Sequence, residues 1–368
     1  MRRALIAFII LLLLAVAAFF AEQWSFFAPG PQALHGRSTI VWIEPGMRSA
    51  AIAQALQNAR VIHNAALFRL GVQLRRKNTA LKAGEYAIPS SSSMADIMGI
   101  LAGGKSIQHK LTIAEGLTSQ MIYDVVRKDP LLTGDAGTLP PEGTLLPETY
   151  YYMRGTPRPA ILARMTRAQA RLLAKLWPAR KPNLPFQSPE QAVTLASIVE
   201  KETALPEERR HIAAVFINRL RAGMKLQSDP TIIYGITKGY PLGRRIRESE
   251  IAAATPYNTY VIAGLPPAPV CNPGKDSLEA VLQPEDSQDL YFVANGTGGH
   301  VFTASIAEHE KNVAKWRAIE QSREQPGTVG AAASASNLSL RGSADTVQPP
   351  PPKEAPRAHR HRHWKRRG

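Results

Sequence analysis

Ala4 to Ala21 is an unbroken run of eighteen uncharged, mostly aliphatic and aromatic residues. As a helix it is just long enough to cross a hydrocarbon layer of roughly 30 Å. Arg2 and Arg3 stand directly before it and favour a cytoplasmic N-terminus, so the polar remainder is expected to work outside the cytoplasm. Ala15-Val16-Ala17 offers the small-x-small form of a leader cleavage site as an alternative. Cutting there leaves an apolar core at the short end for a span, which favours retention as an anchor. On either reading the body is exported.

The chain has 368 residues and room for one large domain or two modest ones. Its single cysteine, Cys271, excludes an intrachain disulfide and any metal site built from cysteines. Nothing in the sequence activates that thiol, and it reads as an incidental loop residue. The net charge is +16, and the stretch Lys353 to Gly368 carries seven Lys/Arg against one Glu. Export argues against nucleic acid as the partner of this charge, leaving the membrane surface or an anionic wall polymer. Beyond Arg323 the Ala/Ser/Pro composition cannot bury a core, so 323–368 is expected to be a disordered tail, including its alternating His359, His361 and His363.

Between these ends the pattern predicts an α+β body. Residues 1–3 are a cytoplasmic N-terminus, 4–21 the transmembrane helix, and 22–36 a Pro/Gly/Phe-containing stalk that lifts the body off the bilayer. A small unit, 37–106, follows. Thr39–Ile43 alternates as a strand, Glu44–Met47 turns, and Ser49 caps a helix with Ile52, Ala55 and Leu56 inward. A helix near 65–75, a strand at Gly84–Pro89 and a helix capped by Ser93 complete it. Leu111–Ile122 repeats the strand, glycine turn and capped helix of residues 40–52, which suggests two copies of one element. Residues 139–155 are too rich in proline for a helix and too apolar for a free linker, and read as an extended packed segment. A helix from about Pro159 to Leu176 leads to the region that carries the chemistry.

There Ser188-Pro189-Glu190-Gln191 is a well-formed helix start, with Ser188 as N-cap, Pro189 at the first position and Gln191 placed to close a capping box. Ala192, Leu195, Ala196 and Val199 share one face, so the helix is mostly buried. It ends on two acids, Glu200 and Glu202. Those lie about 200° apart on the wheel, Glu202 about 70° and Glu200 about 90° from the inward direction, so only one enters a given cleft. The negative pole of the helix and partial burial both raise the pKa of a carboxyl placed there, towards that of a general acid usable near neutral pH. The competing reading is two solvated acids paired with Lys201, Arg209 or Arg210.

Pro206-Glu207-Glu208 opens a second helix expected to fold back on the first. After Gly223 the chain becomes a loop-rich stretch dense in groups that hold sugars: Gln227, Asp229, Thr231, Tyr234, then Thr255-Pro256-Tyr257-Asn258-Thr259-Tyr260. Hydroxyls, amides and flat aromatic faces suit an extended polysaccharide. Asp229 before Pro230 also fits a simple turn cap. His300 and His309 lack a third ligand in their segment, and no metal or other cofactor is expected.

Leu195–Thr203, Val215–Leu220, Leu226–Thr231, Tyr257–Tyr260, Gly264–Pro267 and Tyr291–Phe302 closely resemble the YceG-like family of endolytic murein transglycosylases. The resemblance runs from the anchor to about Arg317. It implies a single-pass inner-membrane protein with a periplasmic body, a LysM-like subdomain at 37–106 and a catalytic domain at 107–322. Its acid maps onto Glu202 of Glu-Lys-Glu-Thr, with Glu200 as the alternative. Gln227, Asp229, Thr231, Tyr257, Asn258, Tyr260 and His300 are the expected glycan contacts, and peptidoglycan strands, with synthases nearby, the expected partners. The implied reaction cleaves between N-acetylmuramic acid and N-acetylglucosamine, and the muramyl C6 hydroxyl closes on C1 to leave a 1,6-anhydro end. Glycosidases usually span the bond with two carboxylates, whereas one suffices when the substrate supplies its own nucleophile. A non-catalytic, membrane-anchored peptidoglycan-binding protein and a metal-dependent exported hydrolase are the alternatives.

Overall fold

The computed structural model describes residues 2–34, 36–77 and 81–324. The chain divides into two compact units: everything through Lys175 together with Cys271–Gly274, and the remainder.

The first unit begins with helix α1, Arg2–Phe27, in which Leu5–Phe27 is apolar and long enough to cross a membrane. The helix does not stop at Ala21. It continues through the region expected as a stalk, because Phe26 finds a partner surface. Its ring is 1% exposed and stacks on Phe68 at a centroid distance of 6.4 Å. Glu22, also buried, accepts a 3.1 Å bond from Arg75, whose guanidinium lies 3.9 Å over the Phe26 ring. The following strip is likewise pinned rather than free, with Gly30 N donating to Ser91 O, Ser91 N to Pro31 O and Ala33 N to the Ser90 hydroxyl. Residues 22–34 therefore seat the helix on the body instead of spacing it away.

Strands β1 (Ser38–Ile43) and β2 (Gly84–Pro89) pair antiparallel in a register that sets Val41 opposite Tyr86, and their alternation buries Val41, Ile43, Tyr86 and Ile88. Helices α2 (Ser49–Asn58) and α3 (Ala65–Leu74) lie between the strands in sequence, and α4 (Met94–Gly103) follows. Leu56, Phe68, Val72, Ile97 and Leu101 interlock as the core. Ser93 caps α4 in a full capping box with Asp96, and Gly104 ends it at φ 70°. Ser49 does not cap α2. Arg48 occupies the cap position without a side-chain bond, and Ser49 is the first helical residue.

The repeat is visible in the next elements, β3 (His109–Thr112) and α5 (Ser119–Lys128). Gly46 and Gly116 turn the two copies at φ 87° and 74°, and Ile43, Ile113, Ile52 and Ile122 are all buried. The copies differ at the cap, where Thr118 accepts from Met121 N as Arg48 cannot. Strand β4 (Thr149–Tyr152) pairs with β3 from within the extended 139–155 segment, and α6 (Arg158–Leu176) completes the unit. Asn272 is stitched into it, accepting from Leu145 N at 2.9 Å and donating to Ser119 Oγ and Glu142 Oε1.

The second unit packs α7 (Pro189–Glu202), α8 (Arg209–Arg221) and α11 (Lys275–Leu282) against one another through Leu195, Ile198, Val199, Val215, Phe216, Leu278 and Val281. Residues expected to be loop form α9 (Asp229–Thr237), and Glu248–Ile251 makes a single turn, α10. A hairpin of β5 (Tyr291–Ala294) and β6 (His300–Thr303) packs on α12 (Ile306–Glu324). The class is mixed helix and sheet, with three two-stranded antiparallel sheets among the described residues. The tail expected beyond 323 lies outside the described residues from 325 onward.

Candidate active site

The site grows from the end of α7. Ser188 accepts from Gln191 N as the cap, but Gln191 Oε1 reaches one residue further back than a capping box requires, to Gln187 N at 2.8 Å. At the other end Ser197 Oγ donates to Thr194 O and accepts from Val270 N, fixing the loop at 270 on the helix. Thr203 then turns to extended backbone, so the last helical residue, Glu202, stands at the carbonyl pole.

Glu202 is 2% exposed. Ser228 Oγ donates to Oε1 at 2.5 Å, and Oε2 has no hydrogen-bond partner among the described residues. Burial, reinforced by the nearby Asp229 carboxylate, pushes its pKa from 4.5 up to about 8 against the opposing pull of Ser228 and Arg219. At neutral pH the group is a carboxylic acid with a proton to give. Glu200 has a different fate, because the helix turns it towards Arg209, whose guanidinium approaches Oε1 at 3.8 Å and also reaches Asp276. Ion pairing thus takes one of the two acids and leaves the other buried and neutral.

Ser228 is oriented by a tight hydroxyl network. Its N–H donates to Thr259 Oγ1 at 2.9 Å, its carbonyl accepts from Thr231 Oγ1 at 2.6 Å, and the two threonine hydroxyls lie 2.9 Å apart. Gln227, half-buried and at φ 53°, donates its N–H to Thr259 O, which bends the chain into α9. Asp229 opens that helix and accepts from the Tyr260 hydroxyl at 2.7 Å. Burial, with Asp229 beside it, holds the Tyr260 phenol protonated far above its usual range.

The other expected contacts divide. Tyr257, half-buried, and Tyr234, buried, form a tilted pair 4.9 Å apart with Lys238 over both rings. Asn258 is 1% exposed, and its amide is consumed within its own loop, donating to Glu250 O, Ile251 O and Ala253 O and accepting from Tyr260 N. It shapes the loop, as Thr231 shapes the approach of Ser228. His300 lies against Glu208, which accepts from both its N–H and Nδ1, and Glu208 Oε2 also faces the hydroxyl of Thr203, the residue after Glu202. His309 is buried and stacks on Tyr291. Among the described residues no group of three His, Cys, Asp or Glu is placed to hold a metal ion.

Sequence reasoning passed over Ser228, Glu208 and Arg219, and took Thr259 for a sugar-holding group where it orients Ser228. Arg219 is 1% exposed and donates to Leu226 O and Leu290 O, each at 2.7 Å, tying α8 to the segment before Ser228 and to the one before β5. Burial lowers its pKa only to about 10, so it stays charged near neutral pH. An arginine on the inward side of an otherwise apolar helix was the available signal.

A neutral carboxyl held by one hydroxyl at the end of a buried helix, with a second carboxylate near but otherwise engaged, defines a site equipped for single-residue acid–base chemistry. The chain belongs to the YceG-like family, whose family model matches residues 41–315. An endolytic murein transglycosylase of Streptococcus pneumoniae is 30% identical over 361 residues, an alignment covering 84% of this chain and 64% of the relative. A protein of the same name from Bacillus subtilis is 40% identical over 129 residues, 35% of each chain. The crystal structure of a yceG-like protein of Listeria monocytogenes matches with a TM-score of 0.45 at 30% identity, over 75% of this chain and 99% of that one. The chain thus spans less than two thirds of the pneumococcal relative's length.

Proposed function

We propose that the chain is an endolytic peptidoglycan lytic transglycosylase with Glu202 as its single acid and base. The observation that carries this reading is the buried, singly bonded carboxyl of Glu202: Oε1 is held by Ser228, and Oε2 has no hydrogen-bond partner among the described residues. In the proposed reaction Glu202 protonates the glycosidic oxygen between N-acetylmuramic acid and N-acetylglucosamine. The resulting carboxylate, with charged Arg219 nearby and Ser228 donating, then takes the proton of the muramyl C6 hydroxyl as that oxygen bonds C1. The bond from C1 to the leaving oxygen breaks, no water enters, and the strand carries a 1,6-anhydro end. Because Glu202 is nearly inaccessible, its cover must part for a sugar to reach it.

Gln227, Asp229 and the Tyr234–Tyr257 pair are the proposed glycan contacts, with Tyr260 orienting Asp229 and His300 buttressing the elbow after Glu202 through Glu208. The family's relatives carry murein in their names, which supports the substrate class. We further propose that α1 anchors the chain in the inner membrane with its body in the periplasm, that 37–106 is a LysM-like glycan-holding subdomain, and that peptidoglycan synthases work nearby.

The test is digestion of peptidoglycan with wild type and Glu202→Gln, followed by mass spectrometry of the fragments. Anhydro ends, one water lighter than hydrolysed ends, are expected from wild type, and a loss of about 10²–10⁴ in rate from the variant. Ordinary reducing ends, or undiminished cleavage by the variant, overturn the reading.

A further inference from the structure

The region around α3 has a surface that the core does not use. Its inward residues, Phe68, Gly71 and Val72, are consumed by the subdomain and by Phe26 of α1. Leu70 and Leu74, four residues apart and so on one face, are 43% and 53% exposed. Beside them the end of α1 exposes Trp24 at 82% and Phe27 at 60%. A cleft of about 300 Å³, lined by Trp24, Ser25, Ala28, His63, Leu67 and Met94, adjoins the end of α1. The charge is one-sided: from Ala65 to Lys77 there are Arg69, Arg76 and Lys77, besides Arg75 paired with Glu22, and no acid.

We propose that this face, the exposed side of α3 with the end of α1, docks on the outer surface of the same bilayer that α1 spans, with anionic phospholipid headgroups as its ligand. The proposal rests on the membrane anchoring proposed above. The eighteen residues Ala4 to Ala21 extend about 27 Å as a helix, so Glu22 and Gln23 fall at the edge of the hydrocarbon. Trp24, Phe26 and Phe27 then lie at headgroup depth, where aromatic side chains concentrate. Phe26 plugs into α3 at Gly71, where an added Cβ would run into the ring, so α3 is held within one helix diameter of that level. Aliphatic side chains flanked by arginines and a lysine are the composition of a helix lying in the interface, with the cationic heads reaching phosphates and their stems covering apolar surface.

The experiment uses the full chain in nanodiscs of phosphatidylcholine alone or with phosphatidylglycerol. Nitroxide labels are placed by Leu70→Cys, Leu74→Cys and, as a reference elsewhere on the unit, Tyr151→Cys; Cys271 is fully buried and stays. Collision with oxygen and with a water-soluble nickel chelate reports lipid or water contact. The expected result is lipid-like accessibility at Leu70 and Leu74 and water-like accessibility at Tyr151. Phosphatidylglycerol should strengthen the lipid contact, and Arg69→Glu with Arg76→Glu and Lys77→Glu should abolish that gain. Water-like labels at Leu70 and Leu74 on a chain that alkaline carbonate does not extract overturn the docking and leave the anchor standing. Extraction by carbonate overturns both. Dipolar broadening between labels in place of lipid contact assigns the face to a second copy and overturns the proposal.

Discussion

Replacing Glu202 by Gln should change how stability depends on pH, independently of any assay of cleavage. Gln keeps the shape of the neutral acid and an oxygen for the Ser228 hydroxyl, and its amide nitrogen falls where Oε2 has no hydrogen-bond partner among the described residues. At low pH the two proteins should therefore be nearly equal. The folded carboxyl titrates near 8 and the unfolded one near 4.5, so between these values only the unfolded state releases its proton. Wild type should lose about 1.4 kcal/mol of stability per pH unit across that window. The loss is complete above pH 8, where the shift corresponds to about 5 kcal/mol. Gln cannot titrate and escapes it. The measurement is the opening free energy of the Pro189–Glu202 amides from hydrogen exchange in detergent, corrected for the intrinsic pH dependence of exchange, for both proteins from pH 5 to 9. The difference between the two curves should climb steadily in favour of the variant and flatten above pH 8. Parallel curves would show that Glu202 is ionised at neutral pH, and the assignment of the acid would fall with them.

In the same range, cleavage of peptidoglycan should decline as pH rises past about 8, when the acid form disappears. Ser228→Ala removes a hydrogen bond that favours the carboxylate, so it should move that decline to higher pH, and a shift to lower pH would contradict the assigned role of Ser228. Asn258→Ala deletes an amide whose two N–H groups serve three carbonyls, worth about 2 kcal/mol in all, and should raise exchange in 250–262 before it affects α7. Gly71→Val places methyl groups in the Phe26 ring and should destabilise the first unit by about 1–3 kcal/mol, read as faster proteolysis after Phe27; unchanged proteolysis would dissociate Phe26 from the joint.

What could be read from the sequence was whatever local chemistry decides. The caps at Ser93 and Ser188, the repeated turns at Gly46 and Gly116, and the apolar face of α7 each follow from spacing over a few residues. The choice between Glu200 and Glu202 was narrow on a helical wheel. In the structure two distant residues separate the pair, Arg209 approaching Glu200 and Ser228 bonding Glu202, and the proposal of Glu202 rests on that difference. Ser228 was invisible as a site residue because its role depends on Thr231 and Thr259 meeting in space. Helix α9 hid behind Asp229-Pro230, which reads equally as a turn or as the first residues of a helix. The stalk was misread for a similar reason. Its composition suits a linker, and only the pocket formed by Phe68, Gly71 and Arg75 makes it a joint.

That joint gives bilayer thickness a mechanical meaning. A spanning helix longer than its membrane leans to bury its excess, and a helix on a loose tether leans without consequence. Here Phe26 and the Glu22–Arg75 pair clamp the helix to the subdomain, so every degree of lean becomes a degree of rotation of the sheet and helices it carries. On the anchoring proposed above, a thin membrane would roll the subdomain one way and a thick one the other, so lipid composition would set its tilt.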